Sequence, residues 1–147
     1  MLLWGIREQT IDVDIKLDPE PPGVFEAIAR LKEDLELNIE LASPDDFIPS
    51  PPDWRQHSPW IATIGGVGYF HFDPRMQALA KLERGHEQDL NDCADMLNRG
   101  LVSVRDIRDC FTRIRQSIVR FPAIDAGEFE RKVHRFLCEY EIRNRES

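Results

Sequence analysis

The stretch "TIDVDIKLD", residues 10–18, decides how the first half of the chain is read. Ile11, Val13, Ile15 and Leu17 alternate with Thr10, Asp12, Asp14 and Lys16, the period of a strand with one buried face. Aspartate is depleted in strands, and two on one face repel each other unless something cationic sits between them. Side chains two residues apart point the same way, roughly 6.6 Å apart along the strand. That separation lets Asp12 and Asp14 straddle a pair of divalent cations, which lie roughly 3.5–4 Å apart in two-metal sites. Mg²⁺ wants hard oxygen ligands of this kind and keeps substrate phosphates in its shell. On spacing alone, the plainer account of the D-x-D is a solvated edge strand.

Outward from this strand, "DPEPPG" (18–23) breaks regularity and "VFEAIARLKEDLE" (24–36) reads as an amphipathic helix, with Phe25, Ile28, Ala29 and Leu35 near one face. "LNIEL" (37–41) alternates as a short strand with Leu37, Ile39 and Leu41 inward. Together they predict a strand–helix–strand unit, either a parallel pair or a bracket of a mixed sheet. Residues 42–59 contain five prolines and read as one long loop, of the sort that is usually functional or mobile. "WIATIGGVGYFHF" (60–72) predicts a hairpin about Gly65-Gly66. Its glycines mimic a phosphate loop but lack the Lys-Ser/Thr ending.

From Asp73 onward the chain reads as helical. Asp73-Pro74 is an N-cap with proline at the first helical position. "PRMQALAKLERG" and "HEQDLNDCADMLNRG" each stop at glycine. Ser103 with Asp106, and Asp125 with Glu128, look like capping boxes opening two further helices. The first carries a seam of Ile107, Phe111, Ile114, Ile118 and Phe121. The predicted fold class is therefore α+β: a small mixed sheet in residues 1–72, then about four helices in 73–147, forming one domain.

Composition bounds the function. The 147 residues suit one core, and 41% hydrophobic with 31% charged residues marks a folded chain. No apolar run is long enough to span a bilayer, and "MLLWGI" lacks the length and basic start of a signal peptide. Cys93, Cys110 and Cys138 show no metal spacing, so a reduced, cytoplasmic protein with no membrane partner is expected. A net charge of −8 argues against general nucleic-acid coating.

Two segments together carry a resemblance. "WGIREQTIDVDIKL" resembles the strand region of the nucleotidyltransferase (polymerase-beta-like) superfamily, and more closely a bacterial branch related to abortive-infection nucleotidyltransferase toxins. "ALAKLERGHEQDLNDCADML" (78–97) is similar to that branch's helical motif, in which Lys81, Arg84, Asp89 and Asp92 fill the Lys, Arg and paired-Asp positions. The tail "RFPAIDAGEFERKVHRFL" (120–137) looks like the same branch. The resemblance implies nucleotidyltransferase-like topology, with Asp12 and Asp14 binding Mg²⁺ and positioning a nucleoside triphosphate. It implies a third carboxylate from a neighbouring strand, for which Glu40 is the best candidate and Asp73 the rival; a glutamate on a solvent face is the plainer account. It implies that Lys81 neutralises phosphate and Arg84 clamps it. The bland alternative is that both are surface charges pairing with Asp89 and Asp92.

The implied reaction is nucleotidyl transfer to an RNA end or a protein hydroxyl. The family places a Gly-Gly or Gly-Ser turn at a helix start upstream of the D-x-D strand, where backbone N–H groups hold phosphates. This chain opens at Met1, and "LLWG" looks like the end of that helix. Transfer is therefore expected to be impaired, whether the start is internal to a longer product or the chain is a reduced member. The sheet edge left exposed points to a homodimer. The rival reading is a non-catalytic nucleotide-binding or interaction module, one half of a toxin–antitoxin pair.

Other residues read more plainly. His71, with Tyr69 and Asp73 near it, suits a hydrogen-bonded strand histidine rather than a ligand. His57, His86 and His134 form no ligand spacing, and no serine or cysteine has a base nearby in sequence. Trp54 and Trp60 flank the proline-rich loop and are expected to anchor it. The six arginines of residues 99–120, against Asp106 and Asp109, read as a solvated amphipathic face.

Overall fold

The computed structural model describes residues 12–145. The expected helix end at 2–5 and the first two residues of the predicted strand lie outside them. Strand β1 (Asp12–Ile15) pairs in parallel with β2 (Asn38–Leu41), the two joined by helix α1 (Val24–Leu35). A parallel pair needs such a crossover, so the strand–helix–strand reading is realised as its parallel alternative. Ile39 is the buried anchor of β2, while Asp12, Asp14, Asn38 and Glu40 all face outward.

Instead of one mixed sheet, the strands make two separate two-stranded sheets. The second is an antiparallel hairpin of β3 (Trp60–Ile64) and β4 (Val67–Phe70) about Gly65-Gly66, both at positive φ. The positive φ at both positions is what a primed hairpin turn requires, and glycine supplies it without strain.

The proline-rich segment is more ordered than the loop predicted for it. It contains helix α2 (Pro44–Phe47), opened by a Ser43–Asp46 capping box, and a 3₁₀ turn at Trp54–His57. Proline at the first helical position and a serine cap before it are favourable start signals, which the count of prolines obscured. Two ion pairs tie this segment to the exit of β1: Lys16 Nζ to Asp45 at 2.9 Å and Arg55 Nε to Asp18 at 2.6 Å.

The core lies in the helical half. Helix α3 (Pro74–Arg84) packs against α4 (Glu87–Asn98), α5 (Val104–Ile114) and α6 (Ala126–Arg145). Met76, Ala78, Leu79 and Leu82 of α3 are fully enclosed, so this helix is apolar on most of its circumference, as a central helix must be. The capping boxes are as expected at Ser103–Asp106, and Asp125 accepts from the Glu128 N–H. Ile107, Phe111, Ile114 and Ile118 form the expected seam; the helix ends at Ile114 and tightens into a 3₁₀ turn over Arg115–Arg120. Phe121, after that turn, is only half-buried. From α6, Phe129, Val133 and Leu137 enter at helical spacing, and the Phe129 ring meets Phe111 edge-on at 5.0 Å and 83°. No helix among the described residues is long and apolar enough to cross a membrane.

Candidate functional site

Because β1 and β2 run parallel, residues paired in register point to the same side. Asp14 stands opposite Glu40 and Asp12 opposite Asn38. Asp12, Asp14 and Glu40, predicted from separate stretches of sequence, therefore share one solvent-facing side of the sheet. Asn38 lies among them: its amide nitrogen donates to Asp12 Oδ1 at 3.0 Å and to Glu40 Oε1 at 3.2 Å. The amide hydrogens offset part of the repulsion that these carboxylates would otherwise suffer.

Asp14 bears the electrostatic consequence. Partial desolvation, and then the Glu40 and Asp12 charges, raise its carboxyl above the ordinary value of 3.8, while Arg84 opposes the rise. Arg84, at the C-terminal end of α3, thus acts on the β1 face across the fold. Its guanidinium is held in place by Asp89: Nε reaches Oδ2 at 3.1 Å and Nη2 reaches Oδ1 at 2.7 Å. That fork is the geometry in which arginine binds a carboxylate most strongly. It raises Arg84 further above its already high ordinary value; burial alone would raise Asp89, but the Arg84 hydrogen bonds and the Arg84 and Lys81 charges hold it below 3.8.

Lys81 is placed differently from either sequence reading. Its ammonium sits in the junction of α3 and α4, 2.6 Å from Asp92 Oδ2 and 3.4 Å from Asp89 Oδ1. The pairing with Asp89 and Asp92 matches the bland alternative, but its location does not: Lys81 and both aspartates are buried. Gln88 adds a hydrogen bond to Asp92 Oδ1 at 3.1 Å. A Lys at this position, one turn before Arg84, must bury its charge because α3 is the central helix, and the DxxD spacing of α4 brings two carboxylates to meet it.

Asp73, the rival third carboxylate, is fully buried at the start of α3, where it caps the Arg75 N–H and takes the Arg75 guanidinium at 2.6 Å. Cys93 and Cys110 are buried, and that burial pushes both thiols up to about 12, so neither is a nucleophile near neutral pH. Burial also lowers His71 below 6.5; it lies one residue past the end of β4 rather than within the expected strand, and its backbone N–H donates to the Pro59 carbonyl at 2.8 Å. Trp54 anchors the proline-rich segment as expected, stacked on Phe72 at 4.7 Å with the Arg55 guanidinium 4.5 Å from its ring centre. Trp60 does not anchor it; 64% of its surface faces solvent, because β3 lies on an outlying hairpin. Arginines of the 99–120 stretch are engaged within the fold, Arg108 with Glu141, Arg113 with Asp53 and Arg115 with Glu130.

No family model matches the chain, and neither does any curated protein or solved structure.

The chemistry of the donor set suits a hard divalent cation, since every candidate ligand is a carboxylate oxygen. Among the described residues no three His, Cys, Asp or Glu side chains are already gathered as a metal-binding group. A cation held by Asp12 and Asp14 would therefore draw those two carboxylates together and displace the Asn38 amide from Asp12. Sequence reasoning missed Asn38. Its only signal was position: two residues before Glu40 on an alternating strand, it had to share that face.

Proposed function

We propose that the outward face of β1 and β2, together with Arg84, whose charge is felt at Asp14, takes a divalent cation and a nucleoside triphosphate, and that the chain's chemistry is nucleotidyl transfer. The observation that carries this reading is the register that sets Glu40 opposite Asp14, with Asp12 on the same face. Asp12 and Asp14 are the residues that hold the cation. Arg84 offers the guanidinium edge left by its fork with Asp89 to phosphate oxygens. Glu40 accepts the proton from an acceptor hydroxyl, whose oxygen bonds to the α-phosphorus as pyrophosphate departs. Bound Mg²⁺ would supply charge stabilisation for the phosphates, the dominant contribution in phosphoryl chemistry.

One observation favours a second reading, a nucleotide-binding module without transfer. Lys81, the cation that the resemblance assigns to phosphate, is engaged by Asp92 and Asp89. The two readings separate in one experiment, with α-labelled nucleoside triphosphates offered alongside cell RNA and protein extracts as acceptors. Label transferred by the wild type and lost in Asp14→Asn supports catalysis. Cation-dependent retention of nucleotide without transfer supports the module, and neither result would sink both.

A further inference from the structure

The β3–β4 hairpin is out of character with the rest of the chain. Residues 60–70 contain no charged side chain in a protein that is 31% charged. Five large apolar residues stand open on it: Trp60 at 64%, Ile64 at 65%, Val67 at 56%, Tyr69 at 48% and Phe70 at 56%. The register pairs Ile64 with Val67 and Ala62 with Tyr69 on one face. A bulge after Trp60 turns that residue and its partner Phe70 to the other face, where the Trp60 indole donates to Thr63 Oγ1 at 3.3 Å. The Phe70 ring folds over Gly68 so closely that a Cβ there would lie 2.9 Å from it. Both faces of a two-stranded sheet thus carry exposed apolar groups.

Such a hairpin is at best marginally stable alone in water, and its open strand edges are templates for further pairing. Among the described residues β3 and β4 pair only with each other. The five residues divide between the two faces, Ile64, Val67 and Tyr69 on one and Trp60 and Phe70 on the other, so each face offers a patch of a few hundred Å² at most. One face with the strand edges stays below the roughly 800 Å² per partner of a standard interface, which fits a weak, concentration-dependent association.

We propose that this hairpin is a self-association surface through which two copies of the chain join, hairpin against hairpin. The charge distribution selects this occupant. The chain carries a net charge of −8, yet the hairpin is neutral, so two copies meet there without opposed charges in contact. A neutral apolar surface offers no cation to nucleic-acid phosphate or to anionic lipid. A twofold contact between identical apolar faces is self-complementary.

The test is sedimentation equilibrium from low micromolar to several hundred micromolar protein. The variants are Ile64→Lys and Val67→Lys, both at open positions where a lysine leaves the fold intact, with circular dichroism as the check. Val119→Lys, which replaces an apolar residue 84% exposed on the helical half, is the control. Wild type and control should associate alike, and each hairpin lysine should weaken association roughly tenfold or more, about 1.4 kcal/mol. A wild type that stays monomeric across the range, or association that the hairpin lysines leave unchanged, would overturn the proposal. So would equal weakening by the control, or a monomeric wild type that binds lipid vesicles through Ile64 and Val67.

Discussion

Replacing Lys81 by methionine keeps the length and most of the volume of the side chain but removes its charge. Asp92, with 1% of its side chain exposed, then loses a cation 2.6 Å away while keeping the Gln88 amide. Asp89 is better placed, because Arg84 still holds it at 2.7 Å. Removing one partner of a buried ion pair typically costs about 3–5 kcal/mol, because a charge is left without compensation in a poorly solvated place. At about 2–4 °C per kcal/mol for a chain of this size, the melting temperature should fall by roughly 6–20 °C. Asp92→Asn should cost less, about 1.5–3 kcal/mol, because Lys81 keeps Asp89 at 3.4 Å as a second counter-charge. Urea unfolding followed by circular dichroism measures both. If Lys81→Met costs under about 1 kcal/mol, as a surface pair does, Lys81 is not held in the way described. A reversed order, with Asp92→Asn the costlier change, would contradict the account of the second counter-charge.

Further outcomes follow from the same geometry. Cation binding at β1 should weaken on acidification from a higher pH than for an ordinary carboxylate, because desolvation and then the Glu40 and Asp12 charges raise Asp14 above 3.8 and a proton competes there with the metal; Mn²⁺ titrations at stepped pH check this. Asp89 works in the opposite sense: its folded value lies below 3.8, so its stabilising contribution is present above that value and is lost as pH falls through the depressed one. Acid unfolding curves of wild type and Asp89→Asn should converge at the acid end, and parallel curves would refute the assignment. Phe129→Ala, at a site only 1% exposed against Phe111, should cost about 3–5 kcal/mol in the same urea assay; a loss under about 1 kcal/mol would mean that the contact does not hold α6.

The helical half was legible because its signals are local. Proline and serine starts, glycine stops and a 3.6-residue apolar period all act within one turn, and they placed α3, α4, α5 and α6 closely. The proline-rich segment was misread because prolines break long helices yet open short ones, as Pro44 does behind its Ser43 cap. Sheet partnership was the hardest feature. Alternation marks a strand but not its neighbour, so β1–β2 and β3–β4 could not be told from one continuous sheet. In the candidate site, the alternation that placed Asp12, Asp14 and Glu40 outward was enough to put them on one face once the strands paired. The burial of Lys81 was not legible, because it depends on α3 being surrounded by three other helices, which no single-helix pattern reveals.

The most direct test of the acidic face is calorimetric titration of Mn²⁺, with and without a non-hydrolysable nucleoside triphosphate, into wild type, Asp14→Asn and Asp34→Asn. Asp34 lies exposed on α1, so its replacement removes the same charge away from the site. The account predicts that wild type and Asp34→Asn bind alike and are tightened by nucleotide, while Asp14→Asn binds roughly tenfold or more weakly. Identical titrations for all three proteins would contradict it.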